Sequence, residues 1–170
     1  MGRKSTRKNK NIYQLSREAS GLTREAASEA MGYISTARIE KIEYETSLPQ
    51  PEEVLTMAVA YKNPSLCNYY CSHECPIGQE YVPEVQVKDL AVVTLEMLSL
   101  LNKLNKDREV LIDITADGEI SQDEYEDFAA IQANLDKMSL AIDTLKLWVD
   151  QTIAAGRIDS SYLDYTNLSH

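Results

Sequence analysis

The amino-acid sequence predicts an all-α protein, with a small N-terminal helical bundle followed by a long antiparallel helical hairpin. Two short segments with helical periodicity meet at Gly32, and two much longer segments follow, one from about Val85 and one over 122–155. In the long segments apolar residues recur three and four positions apart, which is the spacing of one face of an α-helix. A short connection at Asp117-Gly118 separates them, so we expect them to pair as antiparallel neighbours.

The short N-terminal helices are delimited by signals at their ends. The first helix has an apolar stripe of Ile12, Leu15 and Ala19. Gly21 closes this helix, and Thr23 is a suitable N-cap for the second. Pro51 suits the first turn of a fourth helix, and Asn63-Pro64 either ends that helix or starts the next.

A helix-glycine-helix pattern spans 22–43. Gly32 tolerates the positive φ that a sharp turn requires, and the small residues one turn earlier allow the two helices to cross closely. On the second helix Ile39 and Ile42, three positions apart, define the buried stripe. The opposite face then carries Thr36, Ala37, Glu40 and Lys41.

This pattern resembles the helix-turn-helix of the lambda-repressor-like, or XRE, family of bacterial and phage regulators. The usual run of that family is Leu-Thr-Gln-Glu-x-x-Ala-x-x-x-Gly-Ile-Ser-x-x-x-Ile-x-x-Ile-Glu, and the resemblance covers about residues 11–62. Three departures occur: Arg24 replaces the glutamine, Ser28 replaces the alanine, and Tyr33 is an extra residue in the turn. A glycine that often follows the final glutamate is also missing here.

The resemblance implies a sequence-specific transcriptional regulator that binds double-stranded DNA and has no catalytic activity. Phosphate contacts are expected from Arg24, Arg38 and the tail, and base contacts in the major groove from the second helix of the motif. Lys41 would address guanine acceptors, and the methyl group of Ala37 or Thr36 would contact thymine. The complete set of expected DNA-binding residues is Arg3, Lys4, Arg24, Ser35, Thr36, Ala37, Arg38 and Lys41.

The charge is distributed unevenly along the chain. The net charge is −10, but residues 1–47 hold nine Lys or Arg against six acidic residues, a balance of +3, and the other 123 residues hold eight against 21, a balance of −13. Such asymmetry favours one DNA-facing end. The first ten residues hold five cations and no acid. They are interpreted either as an arm that follows phosphates or as a solubilising tail.

The two long segments carry more apolar surface than one hairpin covers. The second stripe consists of Phe128, Ile131, Leu135, Met138, Ile142, Leu145 and Val149, three and four apart over three heptads. We therefore predict a homodimer formed through the hairpin, with a hairpin folded back onto the first domain as the alternative. The expected organisation is a basic flexible tail (1–10), a helix-turn-helix DNA-binding domain (11–62), a Cys-containing connector (63–84), the dimerisation hairpin (85–155) and a polar tail (156–170).

Two weaker patterns suggest metal ions, although no metal or other cofactor is predicted. Zinc could be held by Cys67, Cys71, His73 and Cys75, but their spacing is unusual, and packing of reduced cysteines in the core is favoured over metal binding or redox sensing. Calcium could be held by Asp113, Thr115, Asp117, Glu119 and Glu124, in the register of an EF-hand loop. The alternative for the same letters is a helix stop at Gly118 and a capping box from Ser121 to Glu124.

Other classes of protein are disfavoured. No apolar run reaches the length of a membrane helix, and no apolar segment follows the basic N-terminus as in a secretory signal, so a cytoplasmic protein with reduced thiols is expected. The chain has no phosphate-binding loop and no nucleophile motif with a plausible base, which disfavours an enzyme. The alternative function is a protein-interaction or ligand-sensing or metal-sensing helical module without DNA readout.

Overall fold

The computed structural model describes residues 9–115, 118 and 120–159. In that part of the chain every regular element is an α-helix, which confirms the all-α fold class. The helices are α1 (Ile12–Ala19), α2 (Arg24–Met31), α3 (Thr36–Glu43), α4 (Pro51–Ala60), α5 (Ser65–His73), α6 (Pro76–Tyr81), α7 (Leu90–Thr115) and α8 (Tyr125–Ala154). They form two compact units, of which the first contains 9–84 and 149–159 and the second contains 85–148.

Local side-chain caps determine where the first helices begin. Asn11, Thr23 and Ser35 each accept a hydrogen bond from a backbone N–H in the first turn of α1, α2 and α3. Pro51 occupies the first turn of α4, where the Glu53 carboxylate also accepts the backbone N–H of the N-cap residue. The predicted N-cap at Thr23 and the predicted place of Pro51 are therefore confirmed.

The core of the first unit is built from α1 to α5. Its buried residues are Tyr13, Ala27, Met31, Ile34, Ile39, Ile42, Val54, Met57, Ala58, Tyr61 and Leu66. Leu66 belongs to 63–84, the segment that the sequence analysis treated as a connector. This segment forms α5 and α6, and α5 packs against both α4 and α6. The cysteine-containing segment is therefore part of the first unit.

The buried face of α1 differs from the predicted stripe. Leu15 is 52% exposed, whereas Tyr13 and Arg17, four positions apart, are buried. Both have polar ends with acidic partners: the Tyr13 hydroxyl donates to Glu74 Oε2 at 2.9 Å, and Arg17 pairs with Glu43. Because these partners compensate for the loss of water, the long side chains pack inward. The prediction of a stripe through Leu15 was wrong because it considered apolar side chains alone.

Helices α7 and α8 pack as an antiparallel pair, as predicted. Near the N-terminal end of α7, residues 95–100 line a groove together with residues 137–144 of α8. Farther along α7, Asn134 Nδ2 donates to Asp107 Oδ2 at 2.9 Å. Higher numbers on α7 therefore face lower numbers on α8. Gly118, between the two helices, has the predicted positive φ of 79°.

The contact between α7 and α8 is narrower than the predicted apolar stripes. Val93 and Ile114 of α7 and Ile131, Met138 and Ala141 of α8 are buried. Leu135 and Ile142 of the predicted α8 stripe remain exposed, and so do Leu90 and Leu101 of α7. A two-helix contact buries a narrow seam of each helix, so the neighbouring apolar rows stay outside it. Within the described ranges no helix is both long and apolar enough to cross a membrane.

Candidate nucleic-acid interface

The junction between α2 and α3 is a tight turn centred on Gly32. Gly32 has φ 77° and ψ −45°, and the N–H of Tyr33 donates to the carbonyl of Met31 at 2.9 Å, which closes a γ-turn. A side chain at Gly32 would meet nothing within 4 Å, so backbone conformation rather than space requires glycine. Ser28 Oγ donates to the carbonyl of Ile34 at 2.8 Å and fixes α2 to the start of α3.

The extra residue of the turn, Tyr33, points towards α4. Its ring is exposed, but its hydroxyl lies 2.9 Å from the carbonyl oxygen of Glu52 and 2.9 Å from Thr56 Oγ1. These bonds connect the turn to the N-terminal half of α4. The longer turn is thereby held at a second point on the bundle.

The C-terminal end of α3 is anchored by a buried ion pair with α1. Arg17 Nε lies 2.5 Å from Glu43 Oε1, and Arg17 Nη2 lies 3.1 Å from Glu43 Oε2. Arg17 Nη1 also donates to the carbonyl of Leu22 at 2.7 Å, where the chain enters α2. Glu43 is 0% exposed and Arg17 is 6% exposed. The Arg17 guanidinium therefore connects α1 to the start of α2 and to the end of α3.

The two arginines expected to contact phosphate both have acidic partners within the protein. Arg24 donates to Glu43 Oε2 at 2.8 Å and to Glu40 Oε1 at 3.1 Å. Burial alone would lower the pKa of Arg24, but hydrogen bonds with Tyr44 and Glu43 outweigh this effect and raise it. The guanidinium also lies 5.0 Å from the centre of the Tyr44 ring.

Arg38 is held in the same manner between α3 and α4. Its Nε and Nη2 atoms each lie 2.7 Å from a carboxylate oxygen of Glu53, and it also donates to Ser47 Oγ and to the carbonyl of Leu48. The bidentate contact raises the pKa of Arg38 and lowers the pKa of Glu53. About a quarter of each arginine side chain stays exposed, 22% for Arg24 and 24% for Arg38.

The outer face of α3 is open to solvent. Ile39 and Ile42 are buried, which confirms the predicted stripe. On the opposite side Ser35, Ala37, Glu40 and Lys41 are exposed and Thr36 is half-buried. Of the ion pairs among the described residues none involves Lys41, so its ammonium group is available to a ligand.

The basic tail is described only from residue 9 onward. Arg3 and Lys4, two of the expected phosphate contacts, lie outside the described residues. Lys10 Nζ lies 2.6 Å from Glu18 Oε2, and this contact lowers the pKa of Glu18. The tail therefore enters the bundle at the side of α1.

The cysteine segment does not gather a metal site. Cys67 and Cys71 lie on α5, whereas Cys75 is the N-cap of α6 and accepts the N–H of Gly78 at 3.4 Å. Across the residues that the structure describes, no three His, Cys, Asp or Glu side chains are arranged to hold a metal ion. Cys67 packs against the core, and burial raises the pKa of its thiol. His73 stacks on Tyr69 with ring centres 4.4 Å apart.

The candidate calcium loop lies partly outside the described residues, since Asp117, Glu119 and the side chain of Thr115 are not among them. Asp113 is exposed on the last turns of α7. The Glu124 carboxylate accepts the N–H of Ser121 at 2.8 Å and also accepts a hydrogen bond from the Ser121 hydroxyl at 2.5 Å. The contact from the Ser121 N–H is one half of the predicted capping box.

Sequence reasoning missed the acidic half of the interface. Glu43 and Glu53 hold the three arginines in place, yet neither was a candidate site residue. Glu43 follows Ile42 directly and continues the buried face of α3. Its place next to this apolar residue was the signal in the sequence that could have identified it as a site residue. Comparisons of this chain with protein-family models, with curated proteins and with solved structures gave no match.

Proposed function

We propose that the protein is a sequence-specific regulator of transcription that binds double-stranded DNA, lacks catalytic activity and acts as a homodimer through its helical hairpin. The observation that carries the proposal is the arrangement of α3. Its inner side is fixed by Ile39, Ile42 and the buried Glu43, while Ala37 and Lys41 face outward from the same helix. A rigidly held helix with a short, open outer face is what a major groove admits.

The chemistry of the outer face fits base readout. The Lys41 ammonium group would donate to the O6 and N7 acceptors of guanine, and the Ala37 methyl group would contact the thymine methyl. Ser35 and Thr36 add hydroxyl groups at the start of the helix. Glu40 is half-exposed and paired with Arg24, which reduces its repulsion of phosphates.

The positioning contacts would come from the surrounding cations. Arg24, on α2, and Arg38, on α3 itself, keep part of their surface exposed, and Arg3 and Lys4 of the tail would add positive charge. The balance of +3 over 1–47 against −13 over the remaining residues would orient this N-terminal segment towards DNA.

The test is affinity for a duplex that the wild-type protein selects from a randomised pool. Lys41→Ala should weaken binding to this duplex by about 10-fold or more, because a base contact is lost along with a charge. Lys103→Ala, which removes the same charge from the exposed surface of α7, is the matched control and should bind like the wild type. If no duplex is enriched, or if binding is indifferent to salt, the protein-interaction module becomes the better account.

A further inference from the structure

The α7–α8 hairpin has two surfaces, and a groove between the two helices lies on one of them. This groove, of about 500 Å³, is lined by Leu95 and Ser99 on α7 and by Lys137, Leu140 and Thr144 on α8. These residues flank the buried seam on one side of each helix. On each helix, other residues flank the buried seam on the side away from the groove. Helical periodicity places these residues on the opposite surface of the hairpin.

That opposite surface carries six exposed aliphatic residues, which we name the back face: Leu90, Leu98, Leu101, Ile112, Leu135 and Ile142. Their exposed fractions range from 39% to 58%. On α7 the row continues through Thr94, Asn105 and Arg108 with spacings of three and four, and on α8 the two members are seven apart. This is the spacing of a second heptad seam beside the first.

We propose that the back face binds the back face of a second copy of this chain, so that two hairpins form a four-helix bundle around a two-fold axis. The proposal deepens the proposed function, since it rests on the dimer assigned there and names the surface that forms it. Both faces of the interface are then identical, as an isologous contact requires. The groove stays on the outside of the bundle.

The amount of apolar surface is sufficient for a dimer. Each copy offers six aliphatic side chains that are about half exposed, four of them along about 33 Å of α7 from Leu90 to Ile112 and two on α8. Two such faces in contact would bury on the order of 1,000 Å², which is the lower limit for a specific interface. One hairpin by itself leaves this surface in water.

The charge pattern favours a second copy as the partner. Acidic residues outnumber basic ones by 13 to six over 85–148, so two hairpins would repel each other across most of their surface. The back face is the exception, because its six residues are uncharged and Arg108 on α7 lies beside them. Asp136 and Asp143 border it on α8, where Lys146 Nζ lies 3.4 Å from Asp143 Oδ1. A two-fold partner would bring such cations near such carboxylates at the rim.

The test uses matched substitutions on the two sides of α7 in the full chain. Leu98→Asp places a carboxylate in the back face, whereas Leu95→Asp places one at a more exposed position on the groove side. Sedimentation equilibrium should give the wild type and Leu95→Asp twice the chain mass of 19.2 kDa. Leu98→Asp should dissociate, with a dimer Kd raised roughly 100-fold, because a carboxylate is costly to bury without a partner.

Two controls separate this proposal from its competitors. Leu98→Ala, which keeps the helix and adds no charge, should show an intermediate Kd together with unchanged helical circular dichroism, so a loss of folding is recognised. Lys41→Ala should remain dimeric even though it loses selected DNA, so failure of the readout and failure of the dimer are distinguishable. A monomeric wild type, or equal dissociation by Leu95→Asp and Leu98→Asp, would overturn the assignment.

Discussion

Arg17 Nε and Glu43 Oε1 lie 2.5 Å apart, and the two buried side chains connect α1 to the last residue of α3. The carboxylate also receives Arg24, so one buried acid has two cationic partners from two helices. The orientation of α3 thus depends on a polar cluster as well as on the apolar stripe beneath it.

Glu43→Gln should destabilise the protein by about 3–5 kcal/mol, because it leaves the buried Arg17 without a counter-charge. Urea unfolding followed by circular dichroism measures this change. Glu40→Gln is the matched control, since it removes the same charge from the same helix at a side chain that is 50% exposed, and it should cost less than about 1 kcal/mol. Equal losses in both variants would mean that the buried pair does not anchor α3.

The Arg38–Glu53 pair should make stability depend on pH on the acid side. The hydrogen bond from Arg38 lowers the pKa of Glu53 below its ordinary value, so the stability from this pair is present above the unfolded pKa and is lost as pH falls through the folded pKa. Glu53→Gln should therefore lower stability at neutral pH and flatten its acid dependence. Thermal unfolding of the wild type and of Glu53→Gln, measured from pH 7 down to acidic pH, tests this. Parallel dependence of stability on pH in the two proteins would contradict it.

Tyr33→Phe removes the hydroxyl that joins the turn to α4. We expect a loss of about 1 kcal/mol, since the bonds are near the surface and each contributes modestly. Tyr81→Phe, at a ring that is 79% exposed on α6, is the control and should be neutral. Hydrogen exchange at the amides of the turn should accelerate in Tyr33→Phe alone, and unchanged exchange would show that the extra residue does not need this attachment.

Gly32→Ala should cost about 2 kcal/mol although the position has free space around it. The cost comes from φ 77° and ψ −45°, a conformation that an L side chain adopts only under strain. The loss appears as a lower urea midpoint with an unchanged slope. A neutral substitution would show that the γ-turn is not required for the crossing of α2 and α3.

Part of this architecture could be predicted from the sequence because the signals are local. The glycine at 32, the cap at Thr23 and the spacing of Ile39 and Ile42 each depend on a few neighbouring residues. The stripes of α7 and α8 were predicted as single rows, whereas Leu135 and Ile142 belong to a second row beside the seam. Spacings of three and four fit two adjacent rows equally well, so periodicity alone does not decide which row faces the other helix.

The pairing of the arginines with their acidic partners could not be predicted for a different reason. Glu53 lies 15 residues from Arg38, and Glu43 lies 26 residues from Arg17, so each pair forms only when the bundle closes. The charge pattern along the chain gives the net charge of a segment. It does not show which acidic side chain pairs with which basic one. The count of basic residues in 1–47 was therefore correct, but it overstated how many of them lack an acidic partner within the protein.

Arg24 and Arg38 already have carboxylates as partners, and this has a consequence for the proposed binding to DNA. A phosphate that approaches Arg24 or Arg38 competes with Glu40 or Glu53 for the same donors, so the protein carries its own counterions. Contact with any duplex then exchanges one anion for another, and fewer ions are released than the number of cations suggests. Binding to random DNA therefore gains little free energy from that exchange. A site that also satisfies the outer face of α3 gains more, and the acidic residues would thereby widen the margin between correct and incorrect sequences.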